Sequence, residues 1–172
     1  MQSKTFAFIL ALAPAVLADF KVFCGERCVA FDAGGCGVSC IFMNNPASCS
    51  DVDNSVNFHT SSDVSGCGGV ACDGCERDQP PSEWDITRLE INNSQGCTPS
   101  QLYWGGGGDD PHFTIYNDGG FVNILDTDGN NVGTCTVPEN PQVVECPGPY
   151  GNSGLANQFD CTSELHYLRS PN

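Results

Sequence analysis

The sequence predicts a mainly β, disulfide-rich protein: an antiparallel meander closed as a small sandwich or partly open barrel, preceded by a cysteine-dense, loop-rich N-terminal part. Three observations carry this expectation. Twelve cysteines in 172 residues is a density typical of small folds stapled by disulfides. Twenty glycines and 11 prolines supply turns and disfavour long helices. The C-terminal half carries short runs of β-branched and aromatic residues separated by turn chemistry.

The chain opens with a leader over residues 1–18. Lys4 provides a cationic start, residues 6–17 are an apolar stretch, and the small residues Val16 and Ala18 stand at the −3 and −1 positions of a cut before Asp19. This is the pattern of a secretory signal peptide. The apolar run is shorter than the roughly 18–20 residues needed to cross a bilayer, so it does not read as an anchor. The expectation is a secreted, extracellular monomer with no membrane association, in a compartment where thiols oxidise.

Cysteine density then divides the chain. Cys24, Cys28, Cys36, Cys40, Cys49, Cys67, Cys72 and Cys75 lie in residues 19–79, and Cys97, Cys135, Cys146 and Cys161 in residues 80–172. Both counts are even, so each part can close its own disulfide network, with residues 76–83 and their Pro80-Pro81 as the connection. That reading gives a cysteine-dense N-terminal subdomain, 19–79, and an antiparallel β subdomain, 80–172. A single domain bridged across the two parts is the alternative, because connectivity is not fixed by spacing. Cys24/Cys28 and Cys36/Cys40 have i,i+4 spacing, which puts both sulfurs on one face of a helix. Asp32-Ala33-Gly34-Gly35 breaks any helix between them, and Val38, Cys40 and Phe42 alternate equally well as a strand. With a polar, turn-rich stretch over 44–63, this part reads as knotted loops with short strands or a helical turn.

The second part is clearer. Strands are predicted over 86–91, 113–116, 121–125, 132–137 and 142–146. Asn117-Asp118-Gly119-Gly120 and Asp128-Gly129-Asn130-Asn131 are hairpin signals, because Gly and Asn tolerate positive φ. A meander over 112–146 follows, closed onto the Ile86 strand and onto residues 164–168.

Charge narrows the function. The formal net charge is −15, and loss of the leader removes Lys4, leaving five basic residues against 21 acidic ones, a net −16. Scattered single cations and a strong negative field argue against nucleic acid and against anionic membranes as partners. Cys72-Asp73-Gly74-Cys75 is a C-x-x-C, but without a second pair, a histidine partner or a βαβ context it reads as a structural disulfide. Asp126-Thr127-Asp128-Gly129-Asn130 resembles the opening of a calcium loop. Such a loop needs Gly where Asn131 stands and Glu where Val137 stands, so a tight hairpin explains it better. Gly105-Gly106-Gly107-Gly108-Asp109-Asp110 is a single copy of a motif that binds calcium only when stacked, and reads as a flexible loop. No metal and no cofactor are therefore expected.

His59, His112 and His166 show no catalytic spacing, and neither G-x-S-x-G nor H-E-x-x-H occurs. A carboxylate pair arises by chance among 21 acids, so no catalytic residue is assigned. Tyr103, Trp104 and Tyr150 are the candidate stacking residues, with a core role the stronger reading for Trp104. Asn92-Asn93-Ser94 is a sequon that makes Asn92 a candidate glycan acceptor.

The leader, small size, acidic composition, twelve cysteines and glycine-rich β half together resemble the small secreted cysteine-rich proteins of filamentous fungi, many of them effectors toward a host. The likeness is one of composition and transfers no functional residue. It implies an apoplastic, protease-resistant, non-enzymatic protein that binds a host or cell-wall protein or polysaccharide. The expected alternatives are a carbohydrate-binding module with aromatic stacking residues and a small secreted hydrolase using an Asp/Glu pair.

Overall fold

A computed structural model describes residues 18–28, 36–43, 48–54, 58–60, 69–92, 112–148 and 151–163. Its elements are β1 (Ala18–Cys28), β2 (Cys36–Met43), α1 (Cys49–Asn54), β3 (Phe58–Thr60), β4 (Gly69–Asp73), β5 (Arg88–Asn92), β6 (His112–Asp118), β7 (Phe121–Asp126), β8 (Asn131–Thr136), β9 (Val143–Gly148) and β10 (Gly151–Ser163). One sheet contains all ten strands, and the pairing of β1 with β10 bends it into a nearly closed barrel. Every pairing is antiparallel except β3 with β4. The ring is weakest at β3, where two residues pair with β2 and two with β4.

The meander from β5 to β8 forms as its sequence pattern predicts. Gly119 (φ 61°) and Gly120 (φ 122°) turn β6 into β7, and Gly129 (φ 82°) turns β7 into β8, backbone conformations that glycine adopts without a Cβ clash. Alternation then sends Leu89, Ile91, Phe113, Ile115, Val122 and Ile124 inward. Phe20, Val22, Phe42, Val70, Trp84 and Phe159 complete the interior, so the barrel is filled by side chains. Each large apolar residue fully removed from water contributes about 1.5–3 kcal/mol.

The N-terminal part differs from the expected knotted loops. β1 and β2 are long strands of 11 and eight residues, and the cysteines are rungs of their ladder: Cys24 opposite Cys40 and Cys28 opposite Cys36, each pair bridged. The i,i+4 spacing serves a strand face, since residues four apart also share one side of a strand. Behind this hairpin, Phe23, Ile41, Met43 and Leu155 are covered by Val52 of α1 and Val144 of β9, and the Cys49–Cys146 disulfide fastens that cover. The helix starts on a reciprocal cap, in which Ser48 N–H donates to Asp51 Oδ2 (2.9 Å) and Asp51 N–H to Ser48 Oγ (3.3 Å).

Two expectations are corrected here. The division into subdomains 19–79 and 80–172 does not describe the fold, because β1 pairs with β10 along nine residues and Cys49–Cys146 crosses the boundary. The meander expected over 112–146 ends at β8, because β10 inserts between β8 and β9; the expected closing residues 164–168 lie outside the described residues. Cys72–Cys75 and Cys135–Cys161 complete five disulfides, and no described cysteine is free. Cys67 and Cys97 lie outside the described residues.

Candidate functional site

The same alternation that fills the barrel with Phe113 and Ile115 points His112, Thr114 and Tyr116 of β6 outward. Thr114 stands opposite Glu90 on β5 and Leu125 on β7. With Asp126, Thr127 and Gly129 of the β7–β8 turn, these residues line an open groove of about 360 Å³ on the outer face.

Its charges are tied down. His112 Nε2 lies 2.8 Å from Glu90 Oε1. Arg88 approaches Glu90 Oε2 at 3.7 Å, and its Nε lies 2.9 Å from Asp73 Oδ2, an ion pair set off-line for a hydrogen bond. Asp126 accepts from Asn130 Nδ2 (2.9 Å), Asn130 N–H (2.8 Å) and Asp128 N–H (2.9 Å), and these bonds, the side chain of Asn130 foremost, hold its carboxyl below the ordinary aspartate range. The Asp-Thr-Asp-Gly-Asn run is thus a turn whose first carboxylate is engaged by the turn itself. A glycosidase-type acid needs a carboxyl pushed upward, whereas Asp126 is pushed downward. What the groove offers is hydrogen bonding from hydroxyl, imidazole and carboxylate groups, with the Tyr116 ring and Leu125 as apolar surface.

A second groove, of about 290 Å³, lies across β8, β10 and β1. Thr134 and Thr136 of β8 stand opposite Thr162 and Asp160 of β10, which in turn face Asp19 and Lys21 of β1. Thr162 Oγ1 donates to Asp19 Oδ1 (2.8 Å), while Lys21 and Asn157 Nδ2 both donate to Asp160. Partial burial raises the Asp160 pKa, but the Lys21 and Asn157 hydrogen bonds outweigh it and leave the carboxyl below its ordinary range. Register joins the two grooves, because Tyr116, Asn123, Thr134, Thr162 and Asp19 form one cross-strand row on the outer face.

Of the residues singled out in the sequence, Tyr103, Trp104, Tyr150 and His166 lie outside the described residues, as does the glycine-aspartate run over 105–110. The backbone of His59 is in β3, opposite Ser39 and Gly69. His112 joins Glu90 in the first groove. Asn92 is 0% exposed at the end of β5. Sequence reasoning passed over Thr114, Tyr116 and Glu90, although the alternation His112-Phe113-Thr114-Ile115-Tyr116 already places three polar or aromatic groups on one face. Among the described residues no group of three or more His, Cys, Asp or Glu is placed to hold a metal, and no helix is long and apolar enough to cross a membrane.

Fold and surface together define a disulfide-stapled, nearly closed β-barrel with a filled interior and a polar outer face. No protein-family model matches this chain, and no curated protein and no solved structure matches it.

Proposed function

We propose that this chain is a secreted, disulfide-stabilised, non-enzymatic interaction protein that recognises a host or cell-wall component through the outer face of its barrel. The observation that carries this reading is the pair of polar grooves on the outer face of one disulfide-stapled sheet, the second with Cys135–Cys161 among its lining. With the interior filled, a ligand is met on the outside. A face held by covalent rungs loses little entropy on binding. The test is binding of the oxidised protein to host extracellular proteins and to cell-wall fractions, compared with a His112→Ala/Thr114→Arg variant. Saturable binding lost in the variant supports the reading, and no saturable binding by the parent overturns it.

A second reading, a carbohydrate-binding module, draws on one observation: Tyr116 lines a groove that also holds Thr114, Glu90 and Asp126, an aromatic surface edged by hydrogen-bonding groups. Sedimentation with chitin, cellulose and β-glucan, comparing Tyr116→Ala with the parent, separates the two. The hydrolase alternative would fall to Glu90 and Asp126. The ionised, turn-bound state of Asp126 weighs against it, and a broad glycan and peptide substrate panel tests it.

A further inference from the structure

We propose that the end of the barrel at the β6–β7 hairpin docks a basic protein segment, with Phe121 as the anchor. This rests on the reading of the chain as a binding protein and names the chemistry of its partner.

Phe121 is 79% exposed although its strand neighbours Val122 and Ile124 are in the core. It is held at a defined place, because it pairs with Asp118 across a two-residue turn of Gly119 and Gly120, both at positive φ. Val122 faces Cys135 across the β7–β8 ladder, and Val137, 54% exposed, lies just past the end of β8. A phenylalanine left in water forgoes its burial free energy, which a partner covering it recovers. Aromatic anchors on rigid supports are the usual centres of protein interfaces.

Charge selects the partner. The chain carries a net −15. All four cations among the described residues are engaged: Lys21 with Asp160, Arg27 with the Val52 carbonyl, Arg77 with Glu26, and Arg88 with Asp73 and Glu90. Asp118 on the hairpin and Glu139, two residues beyond Val137, have no ion-pair partner among the described residues. An apolar anchor whose cross-strand neighbour Asp118 is an unpaired carboxylate, on a strongly negative chain with no free described cation to repel a positive ligand, fits a Lys/Arg-bearing segment that presents an apolar pocket or side chain. A neutral glycan would leave the negative charge uncompensated, and an anionic membrane would be repelled by it.

The test uses the oxidised full chain and three probes: a short synthetic peptide alternating Lys with Leu, its Glu/Leu counterpart, and a chitin oligosaccharide. The peptide with Lys is expected to bind, with affinity reduced at least tenfold by Phe121→Ala and further by Asp118→Asn/Glu139→Gln, and weakened by salt. Because all three positions are at the surface, an unchanged urea midpoint shows that the variants fold. Equal binding of the Lys peptide by parent and Phe121→Ala overturns the proposal, as does Phe121-dependent binding of the Glu peptide or the oligosaccharide. Should the parent bind extracellular or cell-wall material while Phe121→Ala does so equally, this inference fails and the proposed function stands.

Discussion

Cys135 of β8 and Cys161 of β10 face each other across one rung, their Cα atoms 4.0 Å apart and their sulfurs joined, at the point where the sheet passes over β9 to reach β10. A disulfide stabilises chiefly by restricting the unfolded chain, and more so for longer loops. Cys135–Cys161 spans 26 residues, whereas Cys72–Cys75 spans three. Replacing both members of the first pair with Ala should cost about 3–4 kcal/mol, and of the second about 2 kcal/mol or less. Urea unfolding of the two double variants measures this, and equal losses would contradict the loop-length account.

β1 and β10 approach so closely that one position admits only glycine. A Cβ on Gly25 would lie 1.9 Å from the Gly154 carbonyl oxygen, while one on Gly154 itself would meet nothing within 4 Å. Gly25→Ala should therefore destabilise by about 1–3 kcal/mol or more, as overpacking of a close contact does. Gly154→Ala should leave the urea midpoint near that of the parent. The reverse order would mean that β1 and β10 do not pair in this register.

Much of this architecture is legible in the chain, and the remainder is hidden for physical reasons. The β5–β8 meander is visible because its inward residues are β-branched or aromatic and its turns are glycines that take positive φ. β10 opens with Gly151-Asn152-Ser153-Gly154, residues depleted in strands, and it is a strand because β1, β8 and β9 supply its ladder. The ladder of Cys24, Cys28, Cys36 and Cys40 was masked by a spacing that helix and strand share; that 24 and 40 have the same sum as 28 and 36 is the trace of its antiparallel register. In the first groove, β6 alternation is local and readable. The arrival of Glu90 and Asp126 beside it depends on strand order, which no local pattern states.

Acid should weaken the fold through three aspartates whose folded pKa values lie below the ordinary value of about 3.9. Asp126 is lowered by Asn130, Asp51 by the Ser48 side chain and backbone, and Asp160 by Lys21 and Asn157 against an opposing contribution from burial. A depressed carboxyl binds more protons unfolded than folded. Its contribution is therefore complete above about pH 5, where the unfolded carboxyl is also ionised, and is lost as pH falls through the folded value. Urea midpoints should hold from neutral pH to about pH 5 and then fall. Asp126→Asn should be less stable than the parent at neutral pH and show a shallower acid slope; an unchanged slope would mean that the turn hydrogen bonds do not favour the charged form.

Asn92 ends β5 opposite Gly69 on one side and His112 on the other, and its side chain is 0% exposed. A glycan on its nitrogen would have to displace whatever covers the amide, so a chain modified before folding could not keep Asn92 buried. Hydrophilic bulk at a fully buried position carries a heavy desolvation and steric cost. The sequon should therefore be unused in protein secreted from a eukaryotic host. The intact mass should show no glycan at Asn92, and Asn92→Gln should change stability without changing the mass by a sugar. A secreted, folded product carrying a glycan there would show that the end of β5 is open to solvent.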